Sequence, residues 1–161
     1  MFLPAAWLFV LAIALHNLEE AVWLPAWSKA GGRLRRPVDA PSFRFAVLVL
    51  TFAAAGCVLL AAAQGPGSTG AYLLCGYALA MLVNVVVPHL AVSLATGTYA
   101  PGTGTAVLLN LPAGAWLLHR GFAEGWVSAG AFAIAGPLTA LALAASIPLL
   151  LALGGWLLRR R

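Results

Sequence analysis

Two carboxylates and a histidine lie within five consecutive residues near the start of the chain. Residues 16–20 read His-Asn-Leu-Glu-Glu. On a helix, His16 is three residues from Glu19 and four from Glu20, so the three side chains project from similar faces. Imidazole and carboxylate groups bind zinc and iron, and paired carboxylates also transfer protons. The spacing therefore indicates a metal site or an acid–base site.

A second polar pair, Asn84 and His89, lies in the middle of the chain. On an ideal helix, five residues of separation place two side chains about 140° apart. Pro88 removes a backbone hydrogen bond and can kink the helix between them. We expect this kink to turn both side chains to one site; the alternative is that only His89 faces it.

The third polar stretch, residues 96–105, is uncharged and rich in Thr, Gly and Pro. Gly and Pro oppose a regular helix here, and Tyr99 is a candidate proton or oxyanion donor. Two interpretations stay open. The stretch either dips back toward the site and closes it from below, or forms an ordinary cytoplasmic turn. Asn110, which follows it, is expected near the same depth.

These residues stand in a chain that is otherwise apolar. Of its 161 residues, 63% are hydrophobic and 8% charged, whereas a soluble domain carries about 25–35% charged residues on its surface. A water-soluble globular protein and a disordered one are both excluded. The two cysteines lie inside apolar runs, which excludes a disulfide-stapled secreted domain.

The apolar residues form five runs. They cover residues 5–24, 45–63, 71–95, 105–118 and 126–153. A helix needs about 17–25 apolar residues to cross a bilayer, and no strand alternation is visible. We predict an all-α fold: a polytopic transmembrane helix bundle with five spans in a single domain of residues 1–161. The first run is expected to end at Pro25.

Lys and Arg residues predict the orientation. Eight of the nine follow the first run, at residues 29–44, or end the chain, at residues 159–161. The positive-inside rule then places the N-terminus outside, residues 25–44 in a basic cytoplasmic loop and the C-terminus in the cytoplasm. This explains the basic net charge without nucleic acid. We therefore expect a multi-pass protein of the bacterial inner membrane that contacts anionic lipids.

The predicted orientation places both sets of polar residues at a similar depth in the bilayer. Runs one and three both cross from outside to inside, so His16, Glu20, Asn84 and His89 share the inner half of the bilayer. A carboxylate there costs about 2.5–3.5 kcal/mol on insertion scales. The sequence thus predicts one buried site built from two helices.

The three motifs together resemble a known family. The His-x-x-Glu-Glu stretch, the Asn84/His89 pair and the Tyr-x-Pro-Gly-x-x-Thr element of residues 99–105 occur in the order seen in the HXXEE-motif family of small bacterial membrane proteins. The resemblance covers about residues 16–105. It implies a membrane protein and supplies neither a substrate nor a reaction.

The residue types indicate a metal-dependent intramembrane enzyme, a hydrolase or a lyase/isomerase. The predicted ligands of zinc or iron are His16, Glu20 and His89, because Glu20 keeps closer than Glu19 to the face of His16. Glu19 is the predicted general base, with Tyr99 and Asn84 also catalytic. The substrate would be a lipid, an isoprenoid or another hydrophobic small molecule from the bilayer.

Three alternatives remain. The same pocket could catalyse acid–base chemistry without metal, of an isomerase, cyclase or epoxide-opening type. Buried Glu and His residues also occur in proton or cation transporters, although no inverted repeat is visible here. The polar groups could also simply join helices, but such bonds average only about 0.6 kcal/mol in membranes.

Overall fold

A computed structural model describes residues 1–30 and 37–158, and every regular element in those two ranges is helical. The all-α fold predicted from the sequence is therefore confirmed. The helices are α1 (Phe2–Lys29), α2 (Ala40–Gln64), α3 (Thr69–Thr96), α4 (Thr103–Thr105, Ala106–Asn110 and Leu111–Ala123) and α5 (Ala129–Leu158).

Four of these helices, α1, α2, α3 and α5, are long and apolar enough to cross a membrane. Large apolar side chains point outward from the bundle; Leu94, Leu108 and Leu149 are each at least 70% exposed. Apolar surface on this scale needs a lipid or protein cover. The chain thus has the character of a helical membrane protein.

Helix α1 supplies the core with one continuous face. Its buried residues recur every three or four positions, as a helix requires; they include Phe2, Ala5, Ala6, Phe9, Ala12, Ile13, His16 and Asn17. The apolar part of this face packs with Leu74 of α3 and Leu117 of α4. His16 and Asn17 continue the same face, so α1 places these two polar side chains in the interior of the bundle.

Asn17 illustrates how such a group is satisfied. Its side-chain amide donates hydrogen bonds to the Val47 carbonyl at 3.2 Å and to the Thr51 hydroxyl at 2.7 Å. Both acceptors belong to α2. Asn17 therefore joins α1 to α2, whereas Glu19 and Glu20 project from α1 in other directions.

The predicted end of the first helix at Pro25 is wrong, because α1 continues to Lys29. A proline inside a helix leaves the carbonyl four residues earlier without its donor. Here that carbonyl belongs to Ala21, and the Arg44 side chain of α2 donates to it at 3.1 Å. The connection between α1 and α2 is correspondingly shorter than the predicted loop of residues 25–44, and its residues 31–36 lie outside the described part of the chain.

The start of α1 and the turn after α4 lie at one end of the bundle. Glu124 accepts hydrogen bonds from the Met1 amino group and the Phe2 amide, both at 3.0 Å, and from Arg120. The hydrogen bond from the amino terminus is the main cause that lowers the pKa of Glu124 to about 2. These bonds fix the first turn of α1 against α4.

At the opposite end of the bundle, the start of α2, which follows the basic residues of the loop, lies against the end of α5, which precedes the C-terminal arginines. Gly154 of α5 packs so closely on α2 that an added Cβ would lie 3.0 Å from Phe45 and 3.1 Å from the Ser42 backbone. The predicted basic loop and the C-terminal end of α5 therefore meet at the same end of the bundle.

Helices α2 and α3 approach each other through Gly70. A Cβ built on Gly70 would lie 2.5 Å from the backbone nitrogen of Ala61. Small residues allow such backbone contact, which drives helix association in membranes. Gly56 also lies in a helix, but a Cβ added there would meet no atom within 4 Å, so it provides a matched control.

We predict that Gly70→Ala destabilises the bundle by about 1–3 kcal/mol, the usual cost of overpacking, whereas Gly56→Ala leaves stability unchanged or raises it. Unfolding of both variants in detergent micelles, followed by circular dichroism, measures the difference. Equal stability of Gly70→Ala and wild-type protein would contradict the close α2–α3 contact.

Candidate metal centre

His16 and His89 come together in the interior from two different helices. Their exposed fractions are 1% and 3%. The two rings meet edge to face, with centroids 4.8 Å apart. The two histidines, both predicted as site residues, are therefore in direct ring contact.

An irregular turn in α3 places His89. The helix is kinked within Val85–Leu90, where Val87 has extended backbone angles (φ −129°, ψ 116°). Residues that precede proline avoid the helical region, which accounts for the break before Pro88. The break rotates His89 inward relative to the regular part of α3.

Glu20 lies between the two histidines. Its Oε2 is 3.7 Å from Nε2 of His16, and its Oε1 is 3.5 Å from Nε2 of His89. Each of the three residues offers one ligand atom, and these atoms lie within 4.8 Å of one another. Nε2 of His89 is buried and has no hydrogen-bond partner within the described chain. Such an orphaned nitrogen, facing a carboxylate, fits a site for a cation.

Glu19 points away from this cluster and into the segment between α3 and α4. Its oxygens accept hydrogen bonds from the Tyr99 hydroxyl at 2.5 Å and the Gly102 amide at 2.9 Å. They also accept from the Thr105 amide at 3.3 Å and the Thr105 hydroxyl at 2.6 Å. The two adjacent acids therefore have different surroundings: Glu19 faces four donors, and Glu20 faces two imidazoles.

Gly102 forms one wall of the cluster. Its φ of +91° is in the left-handed region that favours glycine, and an added Cβ would meet all three cluster residues. The contacts would be 2.5 Å to His89, 2.9 Å to Glu20 and 3.0 Å to His16. The hydroxyl-rich segment thus lies against the site, as one of its two interpretations required.

The remaining predicted site residues differ in their placement. Tyr99 is 57% exposed, and its hydroxyl also accepts from the Gly104 amide at 2.9 Å. Asn84 is half-buried at the start of the irregular turn, and no hydrogen bond joins it to another residue of the described site. Asn110 is fully buried, and neither polar atom of its side chain has a partner within the described ranges.

Gly102 and Thr105 were not predicted as site residues. Both lie in the segment whose composition pointed to a turn, and only the tertiary contacts reveal what they touch. The available signal was the Tyr-x-Pro-Gly-x-x-Thr element of residues 99–105, in which Gly102 and Thr105 are two of the defined positions.

Comparison with known proteins identifies the family of the chain. Residues 7–117 match a family described as "Protein of unknown function with HXXEE motif". The chain belongs to this HXXEE family. The predicted resemblance is thereby confirmed.

The chain is also similar to "Uncharacterized protein YrkK" of Bacillus subtilis (strain 168). It is 32% identical to the chain over 146 residues, which cover 91% of the chain and 92% of the relative. No solved structure shows significant similarity to the chain. The family match, residues 7–117, includes all three cluster residues and the segment between α3 and α4.

Gly102→Ala should disrupt the cluster, because its Cβ would displace both histidines and Glu20. Gly97→Ala is the matched control: Gly97 also has a positive φ, +61°, but an added Cβ there meets no atom within 4 Å. We expect Gly97→Ala to show only the backbone strain, of about 1 kcal/mol, and Gly102→Ala to be clearly less stable.

Thermal unfolding and the imidazole NMR signals of the two variants check this expectation. The signals of His16 and His89 should shift in Gly102→Ala and stay in place in Gly97→Ala. Unchanged imidazole signals in Gly102→Ala would contradict the packing of Gly102 against the cluster.

Proposed function

We propose that His16, Glu20 and His89 bind one divalent metal ion, zinc or iron, in an enzyme that acts within the membrane. The reaction would be a hydrolysis or a lyase/isomerase reaction on a lipid-like or isoprenoid substrate. The observation that carries the proposal is the buried, unpartnered Nε2 of His89 facing Glu20.

The separations of the ligand atoms support a metal. Zinc lies about 2.0–2.2 Å from nitrogen and oxygen ligands, so the ligand atoms of a tetrahedral site are about 3.3–3.6 Å apart. Oε1 of Glu20 is 3.5 Å from Nε2 of His89, and Oε2 is 3.7 Å from Nε2 of His16, so each oxygen is close to this range from one histidine. One ligand atom from each residue lies within 4.8 Å of the others, and metal binding would draw them closer together. Three protein ligands leave a fourth position for water or substrate, as in catalytic zinc sites.

A cavity beside Glu20 and His89 supports an apolar substrate. It has a volume of about 160 Å³ and is otherwise lined mainly by apolar side chains, including Leu24, Trp27 and Val92. A cavity of about 150 Å³ accepts a molecule the size of benzene. One end of the cavity is therefore polar and reactive, while the rest suits a short hydrocarbon segment.

The hydrogen bonds of Glu19 favour a positioning role over the predicted role of general base. Four donor contacts occupy its two oxygens, so neither oxygen is free to take a proton from a substrate. Tyr99 binds the same carboxylate. The catalytic roles predicted for Tyr99 and Asn84 remain predictions.

Metal-free acid–base catalysis is the second candidate. The same distances of 3.5 and 3.7 Å would let Glu20 exchange protons with either imidazole through a small shift of the side chains. A buried carboxyl between two imidazoles can supply an acid and a base in one pocket. Metal content separates this candidate from the first.

The proposed topology has five spans, with the N-terminus outside and the C-terminus in the cytoplasm of a bacterium. Four helices meet the length and hydropathy requirements for spans, and α4 packs among them against α1 and α3. The segments next to the positive residues meet at one end of the bundle, in agreement with the positive-inside rule. The metal site would then lie in the inner half of the inner membrane.

Cysteine labelling tests this topology. We expect Leu34→Cys to react with a membrane-impermeant maleimide only after the cells are opened, and Pro66→Cys to react in intact cells with a permeable outer membrane. Reaction of both from the same side would contradict the proposed topology. Replacement of Cys57 and Cys75 by alanine removes background labelling.

Metal analysis of the purified protein tests the metal ligands. After dialysis against zinc, wild-type protein should retain about one metal ion per chain. His16→Ala, His89→Ala and Glu20→Gln should each lose at least about 90% of it, since each removes one ligand. His119→Ala is the control, because this exposed histidine lies outside the cluster.

Two outcomes would contradict the proposed metal site. One is wild-type protein that binds no zinc or iron, which would leave the metal-free candidate. The other is equal metal content in the wild type and all three ligand variants, which would place the metal elsewhere.

A further inference from the structure

The Thr105 hydroxyl lies between Glu19 and His16. Its Oγ1 is 2.6 Å from Oε2 of Glu19 and 3.0 Å from Nδ1 of His16. We propose that Thr105 is a positioning residue that links Glu19 to His16 and holds the imidazole with its proton on Nδ1. This inference rests on the proposed metal site for its purpose, but the tautomer can be measured independently.

The donors and acceptors at Thr105 determine the direction of both hydrogen bonds. A threonine hydroxyl carries one proton and can accept further hydrogen bonds. Two oxygens can accept the Thr105 proton: Oε2 of Glu19 and the Gly102 carbonyl oxygen, which lies 3.2 Å from Oγ1. The carbonyl carries no proton, and a Glu19 carboxylate that accepts from its other partners carries none either, so neither oxygen can donate to Thr105. The hydroxyl proton therefore points to one of these acceptors. The lone pair that remains faces His16, so Nδ1 must donate.

This tautomer prepares His16 for metal binding. A neutral imidazole carries one proton, so protonation at Nδ1 leaves a lone pair at Nε2. Nε2 is the atom that faces Glu20. In the opposite tautomer, an N–H group would point into the cluster and occupy the direction of the metal. Histidine ligands in metal sites commonly donate their second N–H to such an outer group.

The same segment also contacts the second histidine. The Thr103 hydroxyl donates a hydrogen bond to the backbone carbonyl of His89 at 3.4 Å, and Gly102 packs against both rings. Residues 101–105 therefore act as the outer support of both histidines. The Glu19 carboxylate then holds this support in place rather than contacting a substrate.

Nitrogen-15 NMR of histidine-labelled, metal-free protein tests the tautomer. Protonated and unprotonated ring nitrogens have well-separated shifts, and the spectra of His89→Ala and His119→Ala assign the His16 signals. We expect wild-type His16 to be protonated at Nδ1. Wild-type His16 with its proton on Nε2 would overturn the inference without any further variant.

Thr105→Val and Thr105→Ser test the role of the hydroxyl. Valine has the shape of threonine but cannot link the two residues, so His16 should lose its preference for Nδ1 and zinc affinity should fall about 10–100-fold. Serine keeps the hydroxyl and should restore both. Thr139→Val is the control, since the Thr139 hydroxyl donates only to the Ala135 carbonyl, at 2.8 Å.

An unchanged tautomer in Thr105→Val, or a failure of serine to restore it, would overturn the inference. If wild-type protein shows the Nδ1 tautomer but binds no zinc, the proposed metal site fails while the link through Thr105 stands. If it binds zinc with His16 protonated at Nε2 in the metal-free state, the inference fails and the metal site stands.

Discussion

The structure depends on placing two adjacent carboxylates inside an apolar helix bundle. A carboxylate in such surroundings is costly unless donors surround it. Glu19 meets this requirement with hydrogen bonds from Tyr99, Gly102 and Thr105, all in or beside one turn. These hydrogen bonds hold the turn between α3 and α4 against α1. Glu20 lacks such donors, because its polar neighbours are two imidazoles at 3.5 and 3.7 Å that form no hydrogen bond with it. A bound cation would stabilise this carboxylate instead.

The rest of the bundle serves this arrangement. The buried face of α1 fixes the depth of His16, and the irregular turn of α3 turns His89 toward it. Arg44 donates a hydrogen bond to the Ala21 carbonyl, which Pro25 leaves without a backbone donor. Helix α1 therefore continues past the site, and its residues Leu24 and Trp27 line the cavity. The combination of a polar cluster and an apolar cavity is the physical basis for proposing chemistry on a hydrophobic molecule.

Sequence reasoning predicted the helical class and the partners of the cluster well, because both follow from periodicity and burial cost. His16 and Glu20 are one helical turn apart, and matched depth was sufficient to pair them with His89. The different surroundings of Glu19 and Glu20 could not be predicted, because they depend on where residues 99–105 fold. The continuation of α1 through Pro25 depends on a hydrogen bond from Arg44 of the next helix. Helix propensity alone could not predict this tertiary contact. The roles of Gly102 and Thr105 likewise arise only from tertiary packing.

X-ray absorption spectroscopy of the zinc-loaded protein is the decisive measurement for the metal centre, because it reports the atoms bound to the metal. We expect nitrogen and oxygen ligands at about 2.0–2.2 Å, with the scattering pattern of two imidazoles and no sulfur. His89→Ala, which is expected to lose the metal, should not give this pattern. A spectrum with sulfur ligands, or one without imidazole scattering, would contradict the assignment of His16, Glu20 and His89 as the metal centre.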